Sequence, residues 1–365
     1  MGIELRFTEE DWARIERDWN AWWAGELDRP LVMIEEQVST QHEWLPDLAP
    51  WEDLLTSSFT LDTPADAVID YYQCRLEARR FYGDAFPKWW PNFGPGIVAG
   101  FLGAQVQCAP DTVWFEPPEQ TSINDLQPAY EAENAWWRRV QELTHLAVER
   151  WGSQVAVGHT DLGGTLDILA SLHTTQQLLY DLSDAPGEVA RLSCELTQLW
   201  RRYYDELEAT IRPAGRGTSC WAMIWSPGRC YMLQNDLAYM ISPQMFERFV
   251  LPDLAACCEA LEHGFYHLDG KGQIRHLDLL LSLKRLRGIQ WIPGDGQPPP
   301  EEWLPLLKRI RDGGKLCQLY VSPAGALKIV RELGGRGFAL YIQETMTAEQ
   351  AHDFCRAIAR EDSSR

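Results

Sequence analysis

From about residue 150 onward the chain alternates between two hydrophobic rhythms. Short apolar, β-rich runs end in glycines or polar residues: QVAVGHTDLGG (154–164), GTSCWAMIWS (217–226), GFYHLDG (264–270), GIQWIPGDG (288–296), KLCQLYVS (315–322) and GFALYIQE (337–344). Between them lie longer stretches with apolar residues three and four apart, at 188–209, 242–264, 274–286, 301–314 and 322–335, several opened by serine or threonine and closed by glycine. Periods near 2 and 3.6 are those of strand and helix. Strict alternation of the two predicts a parallel sheet with helical crossovers. RPLVMIEEQ (29–37) and a run near Phe86–Trp90 bring the strands to eight. The expected fold is therefore α/β, a (β/α)8 barrel as one domain over residues 1–365, with helices at about 8–24 and 130–151 as decoration and connection. An open doubly wound sheet is the alternative, but no G-x-G-x-x-G joins a strand to a helix.

Composition narrows the partners. A formal charge of −20 over 365 residues disfavours a nucleic-acid partner. No run of about 18 apolar residues is present, and MGIELRFTEEDW lacks the basic and apolar regions of a signal peptide, so the expected setting is cytoplasmic without a membrane partner. Nine cysteines without a C-x-x-C suit reduced thiols better than a disulfide frame, and Cys257 and Cys258 fall in a helical pattern as core residues. Most of the seventeen tryptophans, as in WNAWW (19–23), sit in amphipathic stretches and are expected to pack helices.

In a barrel, chemistry gathers where strands run into the following loops. The residues there are His159, Asp161, Cys220, Trp225, His267, Asp269, Trp291, Asp295, Tyr320, Gln343 and Glu344. Two histidine–aspartate pairs, His159/Asp161 and His267/Asp269, are spaced to share one face of a strand. Each has a plain reading beside a functional one: Asp269 can cap the amides of Gly270 and Gly272, Asp236 can cap its own turn, His159 can pack, and Trp225 and Trp291 can be core or walls of a substrate pocket.

Several stretches together resemble one known group. GHTDLGGTLDILASLHTTQQLLYDLSDAPGEV (158–189), QNDLAYMISPQMFERFVLPDL (234–254), and the ordered series HLDG (267–270), WIPGDG (291–296) and YIQETMTAEQA (341–351) are similar to segments of the uroporphyrinogen decarboxylase and corrinoid-dependent methyltransferase superfamily. WNAWWAGELDRPLVMI looks like its uncharacterised bacterial members. The resemblance implies a (β/α)8 barrel and one of two chemistries. The decarboxylase branch carries an arginine-rich loop after the first strand and a Gly-His motif after the last; here those places hold EEQVSTQHEWLPDL (35–48) and Gln343-Glu344. The methyltransferase branch holds zinc with His-x-Cys and a later cysteine; here His267-x-Asp269 and Glu344 stand at those places.

The leading expectation is a methyltransferase-like enzyme of this superfamily acting on a small molecule in an acidic, aromatic pocket, possible partners being a corrinoid protein and a second copy of the chain as a homodimer. His267, Asp269, Glu344 and Asp236 are the expected catalytic groups, with His267, Asp269 and Glu344 as a ligand set for zinc or another divalent metal. His159, Asp161, Trp225, Trp291, Asp295 and Gln343 are expected to bind substrate. Decarboxylation of a tetrapyrrole, carboxylate-driven chemistry on a carbohydrate, and binding without turnover are the alternatives.

Overall fold

The computed structural model describes residues 2–38 and 54–363, so most of the acidic stretch after the first strand lies outside the described residues. Among the described residues thirteen strands are formed: β1 (Leu31–Gln37), β2 (Arg79–Gly83), β3 (Lys88–Trp89), β4 (Gln105–Cys108), β5 (Val113–Glu116), β6 (Ala156–Val157), β7 (Thr218–Ser219), β8 (Trp225–Ser226), β9 (Cys230–Leu233), β10 (His263–Asp269), β11 (Leu286–Ile292), β12 (Leu316–Val321) and β13 (Phe338–Ile342). Seven of them make one sheet in the order β2-β1-β13-β12-β11-β10-β9. Every neighbour in it is parallel except β2, which runs antiparallel to β1. β3 and β6 form a parallel pair, and a parallel bridge from Gly158 to Ser219 leads on to β7. β4 and β5 form an outlying hairpin. The chain is thus a mixed α/β structure with a mostly parallel central sheet, as the alternating pattern predicts.

Helices cover the sheet where the apolar spacing places them. Pro186–Ile211, Leu304–Asp312 and Pro323–Leu333 match the expected stretches, and a further helix, Ala348–Ser363, follows the last strand. The stretch 242–264 is instead two helices, Pro243–Phe249 and Leu251–Ala260, because Pro252 has no N–H for a continuous ladder and starts the second one. No helix among the described residues is long and apolar enough to cross a membrane.

The amino-terminal helix Glu9–Ala24 shows how the tryptophans are used. Thr8 and Asp11 cap it reciprocally, Gly25 ends it in the left-handed region at φ 70°, and Trp12, Ile15, Trp19, Trp22 and Trp23 are buried along it. Trp22 lies flat against Phe265 of β10 at 5.9 Å, and Trp19 meets Phe86 edge-on at 5.8 Å. Gly288 is required beside this plug: a Cβ there would stand 2.0 Å from the Phe265 ring. The amino end of the sheet is closed by aromatic packing, which leaves the carboxyl end for chemistry.

Candidate functional site

A cavity of about 260 Å³ opens among the carboxyl-end residues of the strands. Glu35 of β1, Tyr320 of β12, Tyr341 of β13 and Gln343 beyond it form one side, and Lys88 and Trp89 of β3 with Trp221 and Met223 of the loop after β7 form another. The two-residue period brings them there, since Tyr341 and Gln343 share a face of the last strand's path and Met33 pairs with Tyr341, setting Glu35 toward the level of Gln343.

The charges inside are held in place. Glu35 and Arg79 are buried and 3.8 Å apart, although 44 residues separate them in the chain (79 − 35). The Tyr341 hydroxyl bonds to Glu35; burial first, and this carboxylate second, hold its pKa well above the ordinary phenol value. Lys88 Nζ donates to the carbonyls of Trp221 at 3.0 Å and Ala222 at 2.7 Å, fixing the loop that forms the wall. Burial pushes the Tyr320 phenol up to about 12, so at neutral pH it is an uncharged hydrogen-bonding group.

Behind Trp221 lies His267. Its ring meets the Trp221 ring edge-on at 5.1 Å, and its Nδ1 is bonded to Oε1 of Gln290 on the neighbouring strand. Gln290 and Gln318 are fully buried in the middle of β11 and β12, and Gln290 Nε2 donates to Gln318 Oε1 at 2.8 Å. Tyr239 covers the loop that follows His267. A Cβ on Gly272 would sit 2.6 Å from that ring, so the glycine of HLDGKG makes room for an aromatic residue at the rim.

A group of acids gathers around Asp236. Asp161 accepts from the Gly163 N–H at 2.9 Å, yet burial, to which the Asp236 charge adds, pushes it up to about 7. Asp167 accepts from the backbone N–H groups of Asp236 at 2.9 Å and Leu237 at 2.8 Å, and burial with the Asp236 charge holds its pKa well above the carboxylate range. Asp236 opens to solvent at the rim; loss of hydration to the surrounding protein raises its carboxyl, Asp269 adds to this, and His267 opposes it. These terms put Asp236, His267 and Asp269 within electrostatic reach of one another.

The remaining expected residues are placed elsewhere. His159 is buried, lies on Tyr204 at 4.1 Å and bonds through Nε2 to Glu208 at 3.0 Å, so it packs the helix Pro186–Ile211 onto the sheet rather than orienting a substrate beside Asp161. Trp225 is buried at the amino end, where Nε1 donates to the Arg216 carbonyl at 2.7 Å and its own carbonyl accepts from Trp23 at 2.8 Å. Trp291 is fully buried with its ring edge-on to Trp303 at 5.1 Å. Neither tryptophan lines the cavity. Asp295 and Glu344 are exposed, and Gln343, also exposed, does line it. Among the described residues no three histidine, cysteine, aspartate or glutamate side chains come together as a metal-holding group. The His267, Asp269 and Glu344 set therefore does not fit a metal in this geometry. The buried thiols do not supply a substitute: burial pushes Cys220 up to about 11, and Cys230 also lies above the ordinary thiol value.

Glu35, Arg79, Lys88, Gln290, Gln318, Tyr341 and Asp167 join the site without having been singled out from sequence. A signal existed for two of them: Gln290 in GIQWI and Gln318 in KLCQLYV are long polar side chains inside otherwise apolar strands.

No family model matches the chain, and no curated protein matches it. Among solved structures it is similar to a methyltransferase from Methanosarcina mazei, with a TM-score of 0.58 and 10% identity over 98% of this chain and 99% of that one. At this identity the likeness establishes the fold, extending end to end over both chains.

Proposed function

We propose that the chain is a methyltransferase-like enzyme of the uroporphyrinogen decarboxylase and corrinoid methyltransferase superfamily, its strands completing a (β/α)8 barrel and its cavity taking a small, ring-bearing substrate. The end-to-end likeness to a methyltransferase supports the barrel, as do the parallel bridge from Gly158 to Ser219 and the 3.1 Å bond from Trp221 Nε1 to the Met232 carbonyl. The observation that carries the functional reading is His267, set against the aromatic wall of a cavity at the carboxyl ends of the strands. Such cavities are the usual place for chemistry in α/β folds of this kind. At about 260 Å³ this one suits a single ring better than a tetrapyrrole macrocycle.

His267 stands behind Trp221 and does not itself line the cavity. In this reading the substrate ring therefore lies among Trp89, Trp221 and Tyr320, and its hydroxyl or thiol reaches past the Trp221 edge to His267 Nε2, which accepts the proton as the oxygen or sulfur forms a bond to a methyl carbon. The electron pair of the breaking methyl bond stays with the donor. A corrinoid, which the sequence resemblance implies as methyl carrier, would be a substrate presented from outside. The test is transfer from methylcobalamin to a panel of small phenols and thiols, followed by loss of the methylcobalamin spectrum and by mass of the product. At least one acceptor is expected to be methylated, with a fall of about a hundredfold in His267→Gln. Equal rates in the variant would remove His267 from the reaction.

A further inference from the structure

We infer that Gln290 and Gln318 are positioning residues that fix the tautomer of His267, keeping the proton on Nδ1 and the lone pair on Nε2. Its catalytic meaning rests on the reading above; the tautomer itself is a property of the folded protein.

The direction of the relay follows from its far end. Gln318 Nε2 meets the backbone carbonyl of Met223, which can only accept. The Gln318 amide must therefore present its nitrogen there and its oxygen to Gln290. That oxygen takes the Gln290 amide nitrogen at 2.8 Å, which leaves Gln290 Oε1 facing the imidazole. An amide oxygen also only accepts, so Nδ1 carries the proton. Turning either amide over would set oxygen against oxygen in a place where both glutamines are fully buried.

Register makes the relay possible: His267 pairs with Gln290, and Gln290 with Gln318, across three adjacent parallel strands. Glutamine is suited to each link because one planar group both accepts and donates. Histidine free in water prefers the opposite tautomer, so the relay works against the intrinsic preference of the ring.

The relay also runs directly behind the cavity wall. Trp221 touches His267, Tyr320 bonds to the Gln290 side chain, and the Met223 carbonyl anchors the far end, while all three of these wall residues line the cavity. Neither glutamine lines it.

The test is long-range proton–nitrogen NMR on the full chain labelled at histidine nitrogen, at mildly alkaline pH, with the His267 signals assigned by their loss in His267→Gln. Wild type is expected to show a protonated Nδ1 and an unprotonated Nε2. Gln290→Leu and Gln318→Leu should both shift His267 toward the Nε2–H form with the other histidine signals in place. Gln290→Glu, an acceptor toward Nδ1, should retain the Nδ1–H form. Gln318→Leu should also lower kcat about tenfold with KM unchanged, the size usual for a residue that orients a catalytic ligand through another. An Nε2–H form in wild type, or unchanged His267 signals in both leucine variants, would overturn the inference while leaving a role for His267 in turnover intact. A correct tautomer pattern without methyl transfer to any acceptor would instead remove the functional reading and leave the relay standing.

Discussion

β10 carries two histidines four residues apart, and the ends of the sheet use them differently. At the amino end, His263 lies flat on Trp23 at 4.1 Å and bonds through Nδ1 to Ser226 Oγ at 2.6 Å. Ser226 already accepts from the Gly228 N–H at 3.0 Å and is fully buried, so its own proton goes to Nδ1 and the ring proton of His263 belongs on Nε2. Burial, and then the Arg287 charge, push this imidazole down to about 4. At the carboxyl end, His267 has its proton directed to Nδ1 and acids rather than arginine as its charged neighbours. The same side chain on one strand is thus held uncharged in packing at one end and bonded into a pair of buried glutamines behind the cavity wall at the other. Depth along the strand decides the role.

The largest effect expected from breaking this contrast is on stability. Trp22→Ala empties the plug against Phe265 and should cost about 3–5 kcal/mol in denaturant unfolding, because the ring is almost fully buried among Trp19, Trp23 and Phe265. Affinity for any ligand of the carboxyl-end cavity, measured where the variant is folded, should not change. A loss of under about 1 kcal/mol would show that the amino end is not what the aromatic packing makes it.

The converse substitution at the other end comes next. His267→Gln should lower turnover about a hundredfold, about 2.7 kcal/mol in the barrier, and move stability by less than about 1 kcal/mol. Calorimetry and kinetics on the same preparation check both halves. A variant that is severely destabilised but turns over normally per folded molecule would reverse the contrast.

How much of this was legible depends on parity and length. Strands and helices in the second half followed from their periods, but β2 in RRFYG and β9 in CYML were too short and too polar or too close to their neighbours to stand out. His267 and Asp269 could be put on one face because β10 runs through both. His159 and Asp161 could not, because β6 stops at Val157 and the two-residue rule lapses before them. Of the two readings of Trp291, core or pocket wall, its place after Gln290 in β11 decides for core, because successive residues point to opposite faces: once Gln290 is inside, Trp291 must face the helices. Trp225 sits on a short return strand, antiparallel to β7, which carries it back to the amino end. Glu35 and Arg79 meet only through the pairing of β1 with β2, whose register no local spacing discloses.

The acid group at the carboxyl end sharpens the comparison through pH. Asp161 has a folded pKa of about 7 against an ordinary value near 3.8, so between those values the folded state binds the proton and the unfolded state does not. Stability from this group therefore falls as pH rises through that window and is lowest above it. Asp161→Asn keeps an oxygen for the Gly163 N–H and removes the charge. It should stabilise the protein at pH 8 by on the order of 2 kcal/mol and by much less near pH 4, read from unfolding midpoints at the two values. A stabilisation that is equal at both would mean that Asp161 carries no charge penalty.

The smallest effect expected is at His263, and its sign is opposite. A folded pKa of about 4, below the ordinary 6.5, means that the unfolded chain takes up a proton on the way down in pH before the folded one does. Stability from this group is complete above the unfolded value and is lost as pH falls toward about 4. His263→Phe keeps the flat contact with Trp23 and leaves Ser226 its bond from Gly228, but removes both the Nδ1 acceptor and the titration. At pH 7.5 it should cost about 1 kcal/mol for the lost hydrogen bond. Because the ring is partly exposed and solvent screens its charge, the acid-dependent part is also on the order of 1 kcal/mol, so the variant should draw level with wild type by about pH 4.5. Unfolding midpoints in matched buffers at four or five pH values resolve this. If the difference between the two proteins stays constant across that range, His263 is not held neutral by the packing around Trp23, and the amino end of β10 loses its distinction from the carboxyl end in charge, though not in shape.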